Sequence, residues 1–222
     1  MRGSIAVLSK PTSSTQQDST YRRIRQWLSI GRFLPGERLK IRQVAAELGV
    51  GVMPVRAALQ RLAAEGALVN SPNCGVAVPR LSRAEFDDVL QVRLLLEGEA
   101  AERGALRLSD GERDRLVGLS ESMRVAVDAA DAKAYLDANE DFHRLLYSAA
   151  GSPTLMGLID TVWLRVGPIS NQLFDEPDAV PLLNDAHEDA VAALLRRDGA
   201  AVRRAIERDL FVAGQTLRRR CA

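Results

Sequence analysis

The sequence is poor in cysteine and histidine. Its 222 residues include two cysteines, Cys74 and Cys221, and two histidines, His143 and His187. Two cysteines so far apart argue against a disulfide framework, and a reducing cytoplasm fits such a chain.

Long apolar runs are also missing. No segment approaches the roughly 18 apolar residues that a membrane-spanning helix requires, so we expect no membrane partner. Near the N-terminus only Ile5 to Leu8 is apolar, which is too short for a secretory signal. The Ser/Thr/Gln-rich stretch that follows predicts a disordered tail over residues 1–18.

The net charge of +1 conceals an uneven distribution. Residues 1–81 carry 12 Lys/Arg against 4 Asp/Glu, whereas residues 82–222 carry 18 against 25. A basic N-terminal part indicates a polyanionic partner such as nucleic acid, although small domains also differ in charge by chance.

The N-terminal part reads as helices followed by a hairpin. Helical spacing of apolar residues covers Tyr21–Ser29, Ile41–Leu48 and Val52–Glu65. Extended runs at Ala67–Val69 and Val76–Val78 then flank a turn rich in proline, asparagine and glycine. We therefore predict a winged helix-turn-helix domain over residues 19–80.

Beyond Ser82 the pattern is helical almost throughout, with one proline-bounded loop from Asp175 to Pro181. Ser82 with Glu85, and Ser109 with Glu112, have the spacing of capping boxes at helix starts. Six amphipathic helices fit into about 140 residues, which predicts an all-α antiparallel bundle over residues 82–222. The whole chain is thus expected to be mainly α.

Several motifs resemble the GntR family. In order they are Pro35 to Leu39, Val44 to Val50, Pro54 to Leu62, Glu65-Gly66 and Asn73 to Val76. The C-terminal part resembles the FCD-type effector domain of that family, of the FadR-like kind. Its matching segments are Arg93 to Glu97, Asn139 to His143, Gly151 to Pro153, Trp163 to Arg165, and His187.

The resemblance implies a set of DNA contacts. The second helix of a helix-turn-helix enters the major groove, where Arg56 can bind phosphate or guanine. The predicted DNA-binding residues are Arg38, Arg42, Gly51, Val52, Met53, Arg56, Asn73 and Gly75. The alternative for Arg56, and more strongly for Arg38 and Arg61, is a solvated surface arginine.

The start of the second helix departs from the family. Relatives usually carry Ser or Thr where this chain has Gly51, and often a polar residue near Val52. A hydroxyl cap is therefore lost. Val52 and Met53 could contact a thymine methyl group instead, which predicts a different operator sequence.

The resemblance also implies a metal site. Metal-binding FCD domains usually place one Asp and three His where this chain has Asn139, His143, His187 and Asp209. Two nitrogen and two oxygen donors would suit Zn²⁺, Ni²⁺, Mn²⁺ or Fe²⁺. The alternative is a metal-free polar pocket in which the histidines bind an organic ligand directly.

Arg93 and Arg165 stand in apolar surroundings and need partners if buried. The resemblance implies that such arginines bind the carboxylate of a small organic acid, since arginine forks onto carboxylates. The alternative is an internal ion pair, for example between Arg93 and Glu97 four residues later.

Together these features predict a transcriptional regulator that is not an enzyme. We expect it to repress transcription and the ligand to relieve that repression. Its partners would be double-stranded DNA with a pseudo-palindromic operator, a small organic acid and a second copy of the chain. One rival is a metal-free dimeric DNA-binding module. The other is a small metalloenzyme, for which no catalytic motif is present.

Overall fold

The computed structural model describes residues 13–71, 75–170, 172–173 and 180–222, with side chains from Gln16 onward and, after the last gap, from Asn184 onward. In chain order the elements are α1 (Ser13–Ser29), β1 (Arg38–Leu39), α2 (Ile41–Leu48), α3 (Val52–Ala64), β2 (Val69–Ser71), β3 (Gly75–Ala77), α4 (Arg83–Arg107), α5 (Asp110–Asp128), α6 (Ala132–Ser148), α7 (Pro153–Ser170), α8 (Val180–Leu195) and α9 (Gly199–Arg218). The predicted mainly α fold, a winged helix-turn-helix followed by an all-α bundle, is confirmed.

The chain divides into two compact units. The first runs up to Gln26 and resumes over Glu37–Val78, and the second comprises Trp27–Gly36 and Pro79–Ala222. The segment Trp27–Gly36, which we assigned to the DNA-binding domain, therefore packs with the helical unit. Helix α1 is continuous through Gln26 and Trp27 and contributes residues to both units.

The first unit is organised by the tight turn between α2 and α3. Helix α2 ends at Gly49, whose φ of 66° is a left-handed conformation that glycine adopts without penalty. Helix α3 buries Val55, Leu59 and Leu62 on one face. Together these features form the predicted helix-turn-helix.

The wing differs from the prediction in its strand boundaries. Strands β2 and β3 pair antiparallel, with Val69 opposite Ala77 and Ser71 opposite Gly75. The first strand starts two residues later than predicted because the amides of Ala67 and Leu68 both donate to the carbonyl of Leu62, closing the end of α3. The short β1, which pairs with β3, was missed because two residues show no alternation.

The tail prediction was wrong for the residues that the structure describes. Helix α1 begins at Ser13, so the segment from Ser13 to Asp18 is helical. The hydroxyls of Ser19 and Thr20 bond back to the carbonyl of Gln16, at 3.0 and 2.8 Å. A polar composition therefore did not prevent helix formation ahead of the buried Ile24.

The second unit is a bundle of α4 to α9. Helix α4 packs against α6, α7 and α9, while α5 packs against α6 and α8. Both predicted capping boxes are present, with Ser82 and Ser109 accepting from the amides of Glu85 and Glu112. None of the helices in the described ranges is both long and apolar enough to cross a bilayer.

Candidate functional site

Helix α3 presents its first turn to solvent. Gly51, Val52, Met53 and Arg56 are all exposed, and Met53 retains 67% of its accessible surface. The neighbouring Val55 is fully buried and fixes the orientation of that turn. Gly51 occupies the cap position in an extended conformation without a side-chain cap. The predicted base-reading residues therefore share one accessible helix end.

The predicted arginines fall into two kinds. Arg42 and Arg56 are exposed and bond to no other side chain within the described residues, so both can contact phosphate or a base edge. Arg61, by contrast, bonds Glu65 at 3.0 Å and stacks on Tyr21, with its guanidinium carbon 3.8 Å from the ring centroid. That geometry supports an internal role for Arg61.

The remaining DNA-contact candidates lie on the small sheet. Arg38 is exposed on β1, and Gly75 is exposed at the start of β3 with a φ of 83°. A side chain at Gly75 would strain the backbone there. Asn73 lies outside the described residues.

His143, His187 and Asp209 converge in the interior of the bundle. Helices α6, α8 and α9 carry one residue each, and all three are at least 94% buried. The Nε2 atom of His143 lies 3.2 Å from Nε2 of His187 and 3.4 Å from Oδ2 of Asp209. Nδ1 of His187 lies 3.8 Å from Oδ1 of Asp209.

A tyrosine orients His143. The Tyr147 hydroxyl lies 2.9 Å from Nδ1 of His143 and occupies that nitrogen, so Nε2 faces His187 and Asp209. Phe142 packs the edge of its ring against both imidazoles. Burial and the nearby Glu97 carboxylate raise the pKa of Tyr147 well above its usual value, so the hydroxyl stays protonated.

Asp209 is held in its charged form. Burial raises the pKa of a carboxyl group, but His187, His143 and Arg93 oppose this effect and leave the pKa of Asp209 below its ordinary value. An ionised carboxylate beside two imidazoles has the charge and donor types of a divalent metal site.

The separations also fit a metal. Donor atoms of the three residues all lie within 4.8 Å of one another. Zn²⁺ binds nitrogen and oxygen ligands tetrahedrally at about 2.0–2.1 Å, so its donor atoms lie about 3.3 Å from one another. The 3.2 and 3.4 Å separations measured from His143 match this value.

Two small cavities adjoin this cluster. Each has a volume of about 60 Å³, and both are lined by Arg93, Leu136, Asn139, His143 and Ser170. Asp209 lines one of them. The other is lined by Glu140, Trp163 and Gly167, and by Ser29 and Ile30 at the end of α1. The predicted ligand Asn139 thus stands at the cavity, beside His143.

Arg93 forms the internal ion pair and also lines the two cavities. Its Nε donates to Oε1 of the fully buried Glu97 at 2.7 Å, the ion pair offered as the alternative. It also lines both cavities, with 15% of its side chain accessible. Burial opposes its charge, but Glu97 outweighs that effect and raises the pKa of Arg93.

Arg165 is not brought to this site. It lines a separate cavity with Arg80, Arg220 and Cys221. It lies on the same helix as Trp163, but it is two positions further along the chain, so the two side chains point in different directions around the helix. The structure therefore gives no support to Arg165 as an effector contact beside His143.

Two site residues escaped the sequence interpretation. Tyr147 follows His143 by four residues, and that spacing on one helix face could have revealed it. Trp163 was noted only for its resemblance to the family. Its burial beside the cavity depends on the packing of α7, which no local pattern shows.

Comparison with known proteins agrees with this architecture. Residues 16–78 match the bacterial regulatory proteins of the gntR family, and residues 88–211 match the FCD domain. The chain is 30% identical over 152 residues to the HTH-type transcriptional regulator McbR of Escherichia coli K12, covering 68% of this chain and 69% of that protein. It is 26% identical over 208 residues to the HTH-type transcriptional repressor RspR of the same organism, covering 94% and 91%.

Solved structures give the same result. The chain is similar to E. coli McbR/YncC with a TM-score of 0.86 and 25% identity, covering 92% of this chain and 98% of that one. A GntR regulator from Rhodococcus shares the fold with a TM-score of 0.73 and 19% identity. The chain therefore belongs to the GntR family of bacterial transcriptional regulators and carries the FCD domain of its FadR-like members.

Proposed function

We propose that this protein is a homodimeric repressor whose operator affinity is lowered by a small organic acid bound in the helical unit. One relative is named as a transcriptional repressor, which supports repression rather than activation. A dimer would present two copies of α3 to a pseudo-palindromic operator. Because its partner is DNA, we place the protein in the cytoplasm.

The observation that carries the proposal is that Arg93 and His143 both line the same two small cavities. An arginine that keeps 15% of its side chain accessible, next to a cluster of polar side chains, provides a place for a carboxylate. The ion pair with Glu97 uses Nε and leaves the two terminal nitrogens of Arg93 without a partner among the described residues.

We further propose that His143, His187 and Asp209, with Asn139 beside them, hold a divalent metal ion. All four are nitrogen or oxygen donors, which suits Zn²⁺, Ni²⁺, Mn²⁺ or Fe²⁺. A bound ion would add positive charge that attracts the carboxylate of the effector. The chain's own contribution is to orient His143 through Tyr147 and to keep Asp209 ionised.

Helix α1 supplies a route from the cavity to the DNA-binding unit. Its residues up to Gln26 belong to the DNA-binding unit, and Ser29 and Ile30 at its end line the cavity. A ligand that displaces Ser29 or Ile30 moves one end of a continuous helix. Binding energy can therefore be converted into a change in DNA affinity.

The test is elemental analysis of protein purified without chelator, followed by melting of metal-free and metal-loaded protein with a panel of small acids. The proposal predicts about one metal ion per chain and a melting shift by one acid that is larger in loaded protein. His143→Ala should abolish the metal dependence. The absence of any metal and of any acid-induced shift would overturn the effector proposal.

A further inference from the structure

A third cavity of the helical unit is lined by arginines. Its wall includes Arg80, Arg165, Arg220 and Cys221, and its volume is about 90 Å³. It shares no residue with the two cavities described above. None of the described side chains that line it is acidic. Residues 82–222 carry 25 Asp/Glu against 18 Lys/Arg, so this concentration of positive charge opposes the balance of the unit.

Two of these arginines have guanidinium groups to offer. Arg80 and Arg165 form no hydrogen bond or ion pair with another side chain in the part of the chain that the structure describes. A methyl group on Gly36 would overlap the guanidinium group of Arg80, so that group lies directly against the glycine that follows Pro35 at the cavity wall.

The position of Arg165 on α7 directs its side chain to the same wall. Pro168 and Ile169 also line the cavity, and they follow Arg165 by three and four residues. Residues at this spacing share one face of a helix. Arg165 is half-buried there, which lowers the number of water molecules that a ligand must displace.

Two carboxylates act electrostatically on residues of this cavity, but other groups engage both. Glu85 lies within the field of Arg165, and its Oε2 accepts two hydrogen bonds at the start of α4, of 2.8 and 2.7 Å. Arg218 forks onto both oxygens of Asp87, at 2.6 and 2.8 Å. Burial and Asp87 raise the pKa of the Cys221 thiol, so the thiol adds no negative charge.

The backbone at the cavity is paired as well. The amide of Ala222 donates to the carbonyl of Leu81 at 3.1 Å, and the amide of Arg83 donates to the oxygen of Ala222 at 3.2 Å. With a free carboxylate at Ala222, three guanidinium groups would still leave an excess of two positive charges. Such an excess matches the charge of a dianion.

We propose that this cavity binds a phosphate dianion, as inorganic phosphate or as the phosphate group of a small monoester. Arginine binds phosphate oxygens through two parallel N–H donors. A water-sized group needs about 10–15 Å³ of such volume, so about 90 Å³ holds on the order of six to nine of them. One phosphorus and four oxygens fit this space. The site is independent of the proposed effector and metal sites.

Calorimetric titration with inorganic phosphate tests the site. The ionic strength is held constant with chloride, so that general screening does not change during the titration. We expect saturable binding of about one phosphate per chain. Methyl phosphate should bind comparably. Dimethyl phosphate, a diester with a single charge like the DNA backbone, should bind at least about tenfold more weakly, because it loses one charge and carries a second methyl group.

Matched variants locate the bound ion. Arg165→Gln and Arg80→Gln each remove one guanidinium group and should weaken phosphate binding about 10–100-fold, the effect of a lost hydrogen bond to a charged group. Arg80 is exposed, so its variant keeps the test available if the other fails to fold. The control is Arg204→Gln, from a groove that also contains the ion pair of Asp189 and Arg208, and it should bind phosphate like the parent.

Cys221 reports on occupancy from within the cavity. The variant Cys74→Ser leaves Cys221 as the single thiol of the chain, so the intact mass measures its reaction with iodoacetamide. Phosphate at ten times its dissociation constant should slow this alkylation about tenfold, whereas chloride of equal ionic strength should not. Adding Arg165→Gln should remove the protection.

Four results would overturn the proposal. The first is a phosphate titration without saturable binding. The second is an equal loss of binding in Arg165→Gln, Arg80→Gln and Arg204→Gln, which would show a general effect of charge. The third is saturable binding that leaves the alkylation of Cys221 unchanged, which would place the ion elsewhere. The fourth is dimethyl phosphate binding as tightly as methyl phosphate, which would favour a DNA backbone phosphate as the ligand.

Discussion

Arg42 and Arg56 differ from Arg61 in their surroundings. Arg61 is bonded to Glu65 and stacked on Tyr21, so its charge is partly used within the protein. Arg42 and Arg56 are exposed and bond to no other side chain of the described ranges. An arginine that gives up no internal contact when it binds phosphate is the better DNA ligand.

Replacing Arg56 by alanine should therefore weaken operator binding. We expect a loss of about 1–3 kcal/mol if Arg56 reads a guanine, and otherwise a uniform loss with a salt slope lower by about 1. Fluorescence anisotropy with an operator selected from random DNA, at several salt concentrations, measures both. Arg115→Ala, which removes an exposed charge from α5, should change neither. Parent-like binding by the Arg56 variant would refute the DNA-contact assignment.

Tyr147 acts on the proposed metal site through His143. Replacing it by phenylalanine removes the bond to Nδ1, so the imidazole is no longer held in one tautomer and orientation. The affinity for Zn²⁺ should fall about 10–100-fold, as for other partners of metal-bound histidines. Competition with a zinc indicator measures it.

The control is Tyr21→Phe, which removes a hydrogen bond of 2.6 Å to Glu65 in the other unit. It should leave zinc affinity unchanged. Equal zinc affinity of the Tyr147 variant and the parent would show that the tyrosine only fills space.

For the candidate site, the sequence predicted which residues come together better than it predicted what each of them does. His143, His187 and Asp209 converge as the family resemblance implied, and Asn139 lies beside them. The unpaired N–H of Trp163 could not be foreseen, because it depends on which atoms of neighbouring helices reach the ring. Arg165 lines a different cavity from Arg93, which the sequence could not show because an apolar neighbourhood does not give the direction of a side chain.

At the scale of elements, α1 and α7 meet where no side chain stands between them. A methyl group on Gly167 would overlap the carbonyl oxygens of Leu28 and Ser29. The close approach brings Ser29 and Ile30 to the cavity wall, so this contact positions the end of α1.

Gly167→Ala should therefore destabilise the protein by about 1–3 kcal/mol, because the added carbon cannot be accommodated without moving α1. Gly157 lies on the same helix with nothing within 4 Å of an added Cβ. Gly157→Ala should stabilise by about 0.5–1 kcal/mol through helix propensity. Thermal melting of the two variants should give shifts of opposite sign, and a neutral Gly167→Ala would contradict the packing described.

Helix starts were predictable where local chemistry marks them. The start of helix α4 was predicted, because the Ser82 capping box marks it. Strand β1 was not predicted, because its two residues are too few to show a pattern. The helical start of α1 was not predicted either, because its residues are polar. Tertiary contacts decide such segments.

At the scale of the whole molecule, the basic N-terminal part and the acidic bundle suit different partners. In the proposed function, DNA binding draws on the first and effector binding on the second, and α1 contributes residues to both units. The coupling between two such sites is typically about 1–3 kcal/mol, equivalent to a 5–150-fold change in affinity.

The most direct test is the operator affinity of metal-loaded protein, measured by anisotropy with and without the acid that stabilises it most. We expect this acid to weaken operator binding about 5–150-fold, and the Arg93→Ala variant to bind operator normally but no longer to respond to the acid. Operator affinity that stays the same with every acid, with and without metal, would contradict the central claim that the bundle controls DNA binding.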